Sequence, residues 1–343
     1  MTPHLYRNIA RLGAILSLTG ALSLGCRSDT LRAPHSEQAQ HFQVAEFLAG
    51  HTLPADSLFY ERTQKPFYQR HQAYMLKLKE QIFSRHVSRI EQWKSANQFK
   101  ASSRTAVYLL SGADVPNLVT FFPDCKQYLM VALQPADEIG DLASLSDADL
   151  NRSLEKLRIT MQDIAKRNYF RSAVLRRSKK NIGLPGIAPI LLSFLAVLNK
   201  EVVAYENVML ENDGRLLTAT PARSTGTSGF RIYFREPGDK EIKTLVYLGL
   251  KVEPDFYAQT KPEGKLLASL GEVNLMLKAA IYLFHEEPYA DLSAALLRQS
   301  SLVLQDDSGI PLQFFPREEW NFSVFGVYSK SARLNDMKRY KIQ

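Results

Sequence analysis

The chain has 343 residues, of which 45% are apolar and 23% are charged, and its formal net charge is +8. These proportions are ordinary for a globular protein and exclude a disordered or low-complexity chain. The length is sufficient for one large domain or two small ones with a real hydrophobic core. The charge excess is modest for this length and indicates no class of partner by itself.

The first 25 residues predict export from the cytoplasm. Arg7 and Arg11 supply a short positive region, and residues 12–25 form an apolar run with small residues near its end. This pattern is typical of a secretory signal peptide. The run is shorter than the ~20 apolar residues that a membrane-spanning helix needs. We therefore expect residues 1–25 to be a signal peptide that is removed, not a permanent membrane anchor.

The end of this run, residues 22–26 (LSLGC), resembles a bacterial lipoprotein signal. Gly25 fits the small residue before the cysteine, whereas Ser23 and Leu24 depart from the usual pattern. The resemblance implies that Cys26 becomes the mature N-terminus and carries a diacylglycerol thioether and a further acyl chain. Two or more chains anchor firmly, since each buried CH₂ contributes ~0.8 kcal/mol. The alternative is a plain secretory signal with an incidental cysteine.

The signal also indicates where the protein resides and how the chain is divided. Arg27 follows Cys26, and no Asp stands directly after the cysteine. In enteric-type bacteria an Asp there retains a lipoprotein in the inner membrane, so its absence favours the outer membrane, with the domain in the periplasm or at the surface. We predict a flexible tether over residues 26–52 and a globular domain over 53–343. Cys125 is expected to be a buried small side chain, because an acylated Cys26 leaves it no intramolecular partner.

The first half of the domain reads as an α/β unit. Apolar residues recur at three and four positions in a long segment, and two short apolar runs rich in β-formers flank a short helical segment. The predicted elements are a helix over 65–100, strands over 105–110 and 127–133 with a helix over 118–122 between them, a capped helix over 146–166 and a buried helix over 187–198. Residues 42–50 also have helical spacing, inside the predicted tether.

The second half opens with an antiparallel meander. Its predicted strands are 201–210, 229–234 and 244–250, with turns at 211–214 and 237–240. Helices are expected over 266–285 and 289–304, followed by a strand over 321–328. Helices and strands thus interleave, and the predicted fold class is mixed α/β. A faint similarity between residues 127–137 and 243–255 suggests two lobes, each centred on a buried strand, with a boundary near residue 180.

The most basic part of the chain is Lys166–Lys180, which has seven cations and no acidic residue. Anionic lipid headgroups or cell-wall polymers are the partners available to an exported lipoprotein, whereas nucleic acid is not. Each cation near a charged membrane contributes ~1 kcal/mol. A merely solvated loop is the alternative explanation of this stretch.

A polar turn between the first predicted strand and its helix is a candidate ligand site. Ser111, Gly112 and Asp114 lie where a strand meets a helix, a place where backbone N–H groups can hold an anion and where ligands often bind in α/β sheets. The alternative is that Asp114 simply caps the helix. Ser111 lacks the glycines that surround a hydrolase nucleophile.

Four carboxylates form a second candidate site. Asp306 and Asp307 stand beside a glycine turn, and together with Asp114 or Asp124 they could perform acid/base chemistry. The alternative is ordinary turn capping. Catalysis of this kind needs carboxyl groups within ~10 Å of each other. We predict no metal site and no cofactor, since no Cys or His cluster has metal-ligand spacing.

Three strings of the sequence, residues 111–124 (SGADVPNLVTFFPD), 128–135 (YLMVALQP) and 305–315 (QDDSGIPLQFF), resemble a family of uncharacterised exported bacterial proteins. The resemblance spans about Phe59 to Tyr328 and implies no established activity, cofactor or catalytic residue. The function we expect is that of a lipid-anchored envelope protein acting as a binding or structural module. The alternative is an envelope hydrolase that uses Asp114 or Asp124 with Asp306 or Asp307.

Overall fold

The computed structural model describes residues 35–137, 139–167, 184, 186–219, 227–277, 287–305 and 322–325. The helices are α1 (His35–Leu48), α2 (Tyr60–Thr63), α3 (Pro66–Leu78), α4 (Ser84–Ala96), α5 (Val115–Phe121), α6 (Asp147–Arg167), α7 (Ala188–Val197), α8 (Pro262–Ser269) and α9 (Ala290–Gln299). The strands are β1 (Thr105–Leu109), β2 (Gln127–Ala132), β3 (Glu201–Leu210), β4 (Leu216–Thr218), β5 (Thr227–Arg235), β6 (Lys243–Gly249), β7 (Val273–Leu277), β8 (Ser300–Gln305) and β9 (Phe322–Val324). The predicted mixed α/β class is confirmed.

The nine strands of the described residues belong to one sheet, in the order β4-β3-β5-β6-β2-β1-β7-β8-β9. The six strands from β6 to β9 in this order pair with one another in parallel, whereas the pairs β4–β3, β3–β5 and β5–β6 are antiparallel. Numbered by their succession along the chain, the parallel strands have the order 3-2-1-4-5-6. This is the order of a doubly wound α/β sheet.

Helices cover both faces of the sheet, which explains the alternation of core residues in β1. Ala106 and Tyr108 belong to the larger core, with apolar residues of α1 and α3 to α7. Val107 and Leu109 belong to the second core, with residues of α8 and α9. The connections from β1 to β2 and from β2 to β6 therefore run over one face of the sheet. The connections from β6 to β7 and from β7 to β8 run over the other face. The change of face places β1 and β7 at the switch point of the sheet.

The N-terminal helix corrects the predicted tether. Residues 35–48 form α1, in which Ala45, Phe47 and Leu48 are completely buried. The helical apolar spacing noted over residues 42–50 directs these side chains into the larger core, where α1 packs on α7 and β3. The tether boundary at residue 52 is therefore wrong, because the folded domain already includes α1.

The long helix predicted over residues 65–100 is present as α3 and α4. They are joined without a break by a π-helical segment, Lys79–Phe83, and the helix ends at Ala96. The helix predicted over 146–166 is α6, and Ser146 caps it, since the Asp149 amide donates to the Ser146 hydroxyl at 3.1 Å. The apolar helix α7 is buried along its whole length, as predicted. None of the helices in the described part of the chain is long and apolar enough to cross a membrane.

Two predicted helices are partly wrong. α8 ends at Ser269, and the segment Val273–Leu277 is strand β7; likewise α9 ends at Gln299 and is followed by strand β8. Gly271, with a φ of 64°, separates α8 from β7. Both strands are covered on both faces, and their apolar stretches Leu275–Leu277 and Leu302–Leu304 are too short for periodicity to distinguish them from buried helix.

The predicted meander is confirmed, and the two similar segments are neighbours in one sheet. β5 pairs antiparallel with β6, as the hairpin signal indicated. β2 pairs in parallel with β6, with Gln127 opposite Thr244. Strands from both sides of residue 180 therefore join in a single sheet and are not centres of two lobes. Residue 180 itself lies outside the described residues.

The outer edge of β3 is covered in two ways. β4 pairs only with its last residues, Val208 to Leu210. Farther along β3, the Tyr205 amide donates to His41 Nδ1 of α1 at 3.2 Å, and the two rings stack at 3.9 Å. The Asn207 carbonyl accepts a hydrogen bond from the Ala219 amide at 2.8 Å. Backbone groups of this edge strand are thus bonded within the chain.

Candidate functional site

The parallel strands end at one edge of the sheet, here called the carboxyl edge, and begin at the opposite amino edge. Ligands of open α/β sheets bind outside the carboxyl ends of the strands, at the switch point. β1 ends at Leu109 and leads through residues 110–114 into α5. The predicted polar turn with Ser111, Gly112 and Asp114 therefore lies at the edge where a ligand site is expected.

The backbone of this turn is strained and firmly held. Leu110 has a φ of 56° and Gly112 a φ of 57°, both in the left-handed region. For leucine this conformation is unfavourable and persists only where its surroundings impose it. The Ser111 amide donates to the Val131 carbonyl at 3.1 Å, which fixes the turn to β2. Ser111 is completely buried, Asp114 is 5% exposed, and Leu110 is half-buried at the rim.

Asp114 is the acceptor of a buried hydrogen-bond network. Its Oδ2 accepts from the Tyr108 hydroxyl at 2.9 Å and from Asn117 Nδ2 at 2.9 Å. The Oδ1 of Asn117 in turn contacts Nε2 of His86 in α4. Asp114 occupies the N-cap position of α5, but its side chain makes no capping hydrogen bond. The simple capping role is therefore wrong, because the carboxylate faces Tyr108 and Asn117 instead.

A second segment at the carboxyl edge, Gln134–Asp137, follows β2. The Tyr247 hydroxyl donates to the Gln134 carbonyl at 2.9 Å, and the Ile187 amide donates to the Ala136 carbonyl at 3.1 Å. Asp137 has a φ of 51° and is half-buried. This edge thus contains two non-glycine residues in left-handed conformations, one after β1 and one after β2.

Gly186 and Gly249 let other segments approach the loop after β2 closely. A Cβ atom on Gly186 would lie 2.5 Å from the Ala136 carbonyl oxygen. A Cβ atom on Gly249 would lie 2.8 Å from the Gln134 carbonyl oxygen. Any larger residue at either position would displace the loop, so both glycines are required for its present conformation.

The predicted carboxylates are not all brought together. Asp124 is exposed in the loop between α5 and β2, at the amino edge, whereas Asp114 is at the carboxyl edge. The length of a strand, roughly 15–20 Å, separates the two edges. Asp306 and Asp307 lie outside the described residues; the strand before them, β8, ends at the carboxyl edge. Asp124 therefore cannot act together with Asp114.

The amino edge has a polar cluster of its own, centred on the completely buried Asn274 of β7. Its Oδ1 accepts from the amides of Ser102 at 2.9 Å and Ser103 at 3.3 Å. Its Nδ2 donates to the carbonyls of Ser103 at 2.7 Å and Thr105 at 3.2 Å. Asn274 therefore clamps the chain that enters β1.

Cys125 is buried beside this clamp, as predicted, and is not disulfide-bonded. Its Sγ lies 3.4 Å from Nδ2 of Asn274. Burial raises the pKa of the Cys125 thiol to about 11. A neutral, buried thiol is poorly reactive. We assign Cys125 a packing role.

The histidines His71 and His51 differ from His86 in their hydrogen-bond partners. His71 is completely buried, its Nε2 donates to the Leu48 carbonyl at 3.0 Å, and desolvation lowers its pKa to about 4. Nδ1 of His51 is 2.7 Å from the Glu46 carboxylate. His86 is half-buried, and its ring contacts Phe325 edge-on at 6.3 Å. Of these three, His86 alone is joined to the polar turn at the carboxyl edge.

Other candidate features are absent from the described residues or lie elsewhere. No group of three His, Cys, Asp or Glu side chains in the described ranges is placed to bind a metal ion. A groove of about 550 Å³ is lined by residues at the end of α4, and another of about 530 Å³ lies between α3 and the loop after α1. Neither is lined by the turn after β1. Cys26 and residues 168–180 of the basic stretch lie outside the described part of the chain.

Sequence analysis identified Ser111, Gly112 and Asp114 but missed the residues that complete the network. Tyr108 and Asn117 stand close to Asp114 in the sequence, and polar residues in an otherwise apolar segment were the available signal. His86 is 31 residues from Asn117. Only the packing of α4 on α5 brings it to the turn.

Comparison with protein-family models, with curated proteins and with solved structures finds no match to this chain. Its function is therefore inferred from the carboxyl edge itself. The structure defines a doubly wound α/β domain with an antiparallel extension and a strained polar turn at its switch point.

Proposed function

We propose that the protein is a bacterial envelope lipoprotein, anchored through Cys26, whose α/β domain binds a ligand at the carboxyl edge between β1 and β7. The strand order carries this proposal, because a doubly wound sheet presents its ligand site at the switch point. The left-handed Leu110 and the Asp114 network at that point support it, since strain and buried polar groups concentrate at binding sites.

The ligand that fits this edge is rich in hydroxyl groups and carries no phosphate, such as an envelope glycan. The segments 105–125 and 127–137 contain no Lys or Arg, and the polar side chains of their two turns, Ser111, Asp114, Gln134 and Asp137, are neutral or acidic. Of these four, Asp137 is half-buried and the others are buried. Phosphate recognition relies on cations or on several glycine N–H groups. The turn has one glycine, and Pro116 lacks an N–H at the start of α5. A nucleotide therefore fits less well.

Binding is tested by NMR on the full chain carrying Cys26→Ser, with muramidase-digested peptidoglycan as the probe and ATP as the control. We expect the glycan fragments to shift the amide signals of residues 110–117 and 134–137 and ATP to leave them unchanged. Shifts confined to the amino edge at residues 102–105, or no shifts with the glycan, would contradict the proposed site.

The anchor is tested with the two cysteines of the chain as a matched pair. Cys26→Ser removes the acylated thiol, so the protein should move from the membrane fraction to the soluble fraction. Cys125→Ser changes the buried cysteine and should leave the protein in the membrane fraction. Mass spectrometry of the wild type should show a mature N-terminus at Cys26 with acyl chains. An unmodified N-terminus at Met1 would refute the anchor.

We also propose that the basic stretch Lys166–Lys180 contacts anionic lipid headgroups beside the anchor. Its seven cations without an acidic residue support this contact. The Cys26→Ser protein should bind phosphatidylglycerol vesicles at low salt and release them as salt screens the charges, but it should ignore phosphatidylcholine vesicles. Equal binding to both vesicles would exclude the electrostatic contact.

A further inference from the structure

The network at the carboxyl edge has a fixed direction of hydrogen bonding. The Asp114 Oδ2 is the shared acceptor, so the amide group of Asn117 must place its Nδ2 toward Asp114. The Oδ1 of Asn117 then faces His86, and Nε2 of His86 must donate to it. In the neutral form of the imidazole this places the proton on Nε2 and the lone pair on Nδ1.

The ring of His86 is also held from its other sides. Phe325, which follows β9, meets the ring edge-on, and the guanidinium of Arg89 lies 5.6 Å from the centre of the Phe325 ring. Asn117 is 2% exposed, whereas His86 is half-buried at the surface of α4. The network therefore runs from a buried carboxylate to an imidazole that solvent reaches.

We infer that Asp114 and Asn117 position His86 so that its Nδ1 accepts a hydrogen bond from a ligand hydroxyl at the carboxyl edge. This inference rests on the proposed function for the location and class of the ligand. Asp114 and Asn117 are positioning residues, and His86 is the contact residue. A ligand with hydroxyl donors matches the lone pair that the fixed tautomer presents.

Two substitutions of His86 separate ligand contact from structural support. In His86→Asn the shorter amide places its oxygen near the former Nδ1 and loses the contact with Asn117. In His86→Gln the longer amide reaches Asn117 but leaves no acceptor at the Nδ1 position. A purely structural role predicts that Gln replaces His better, whereas a ligand contact through Nδ1 predicts that Asn does.

The experiment measures the affinity of the Cys26→Ser protein for muramidase-digested peptidoglycan in each background. We expect His86→Gln to weaken binding roughly tenfold, as for one lost hydrogen bond, and His86→Asn to retain most of the affinity. Asn117→Ala should weaken binding to a similar extent, and Asn97→Ala, on the exposed end of α4, should have no effect. Equal losses in both His86 variants, or a loss in His86→Asn alone, would overturn the inference.

A second measurement tests the hydrogen-bond network of Asp114, Asn117 and His86 separately from the proposed function. Without any ligand, the Nε2 proton of His86 should exchange slowly with solvent and give an NMR signal that disappears in Asn117→Ala. His51, whose Nδ1 faces Glu46, serves as an internal reference in both proteins. If the Nε2 signal behaves in this way but the glycan does not bind, the proposed ligand is wrong and the hydrogen-bond network is confirmed. If the signal is absent from the wild type, the hydrogen bond from His86 Nε2 to Asn117 is wrong, and the inference fails with it.

Discussion

The two ends of β1 both carry buried polar clusters, yet they are built from different partners. At the amino edge, Asn274 bonds to the backbone amides and carbonyls of residues 102–105. At the carboxyl edge, side chains bond to one another, from Tyr108 and Asn117 at Asp114 to His86. In the first cluster the partners of the side chain are backbone groups. In the second cluster a chain of side-chain hydrogen bonds links the buried Asp114 to the half-buried imidazole of His86. We interpret the amino edge as structural support and the carboxyl edge as the site of recognition.

Left-handed non-glycine residues occur on both sides of the sheet: Gln98 and Asn199 precede β1 and β3, whereas Leu110 and Asp137 follow β1 and β2. The left-handed Leu110 and Gly112 lie at the carboxyl end of β1, and Asp137 lies at the carboxyl end of β2. Strain that the surrounding structure imposes is characteristic of binding and catalytic sites. The mutations below test whether stability and recognition are divided between the two edges.

The largest expected effect is that of Asn274→Leu at the amino edge. The substitution leaves the amides and carbonyls of residues 102–105 without their buried partner, so we expect the free energy of unfolding to fall by about 3 kcal/mol. Urea unfolding measures this loss. Asn97→Leu at the exposed end of α4 is the control and should cost less than about 1 kcal/mol. If the free energy of unfolding falls as little in Asn274→Leu as in the control, the amino edge does not have the structural role assigned to it.

Asp114→Ala at the carboxyl edge should have a smaller effect on stability. It removes the acceptor of Tyr108 and Asn117, but water can reach the His86 end of the network, so we expect a loss of about 2 kcal/mol. The same substitution should abolish the shifts caused by the glycan fragments. Asn274→Leu, under conditions in which it remains folded, should keep them. If Asp114→Ala keeps the shifts and Asn274→Leu loses them, the amino edge and not the carboxyl edge is the site of recognition.

Tyr108→Phe should have a weaker effect still. It removes one donor from Asp114 and leaves the ring packed in the larger core, so we expect a loss of about 1 kcal/mol in urea unfolding. Tyr128→Phe is a matched variant, because its hydroxyl also makes a buried hydrogen bond, to the Phe122 carbonyl at 2.7 Å. The two losses should be similar, and only Tyr108→Phe should alter glycan binding.

The smallest effect concerns the reactivity of Cys125. Because burial raises the pKa of its thiol to about 11, roughly one molecule in a thousand carries the thiolate at pH 8. A disulfide reagent should therefore modify the native Cys26→Ser protein slowly and the urea-unfolded protein rapidly. The reaction should be faster in Asn274→Leu than in Asp114→Ala, since Asn274 contacts the sulfur. Equal rates in native and unfolded protein would contradict the burial of Cys125.

Much of the fold was predictable because its signals are local. The pattern of apolar residues predicted β1, α5, β2, the long helix and the meander around β5 and β6. β7 and β8 were missed, since strands covered on both faces lose the alternation that marks a strand. This error concealed the strand order, because β7 is the neighbour of β1 that completes the switch point.

The candidate site was predictable in part. The turn with Ser111 and Asp114 was found because a polar segment between a strand and a helix is a local pattern. Asp114 and Asp124 were predicted as alternative partners of Asp306 and Asp307, yet they lie at opposite edges of the sheet. In a parallel strand–helix–strand unit, the helix returns the chain to the opposite edge. His86 was missed because its contact with Asn117 depends on how two helices pack.

The covered edge of β3 has a consequence for the lipid anchor proposed above. Lipid-anchored proteins share a two-dimensional surface, where neighbours meet often and an unpaired strand would recruit a second copy edge to edge. The bond from the Tyr205 amide to His41 and the short β4 satisfy this edge within the molecule. If the chain is anchored as proposed, we therefore expect this part of the sheet edge not to pair with a second copy on the bilayer.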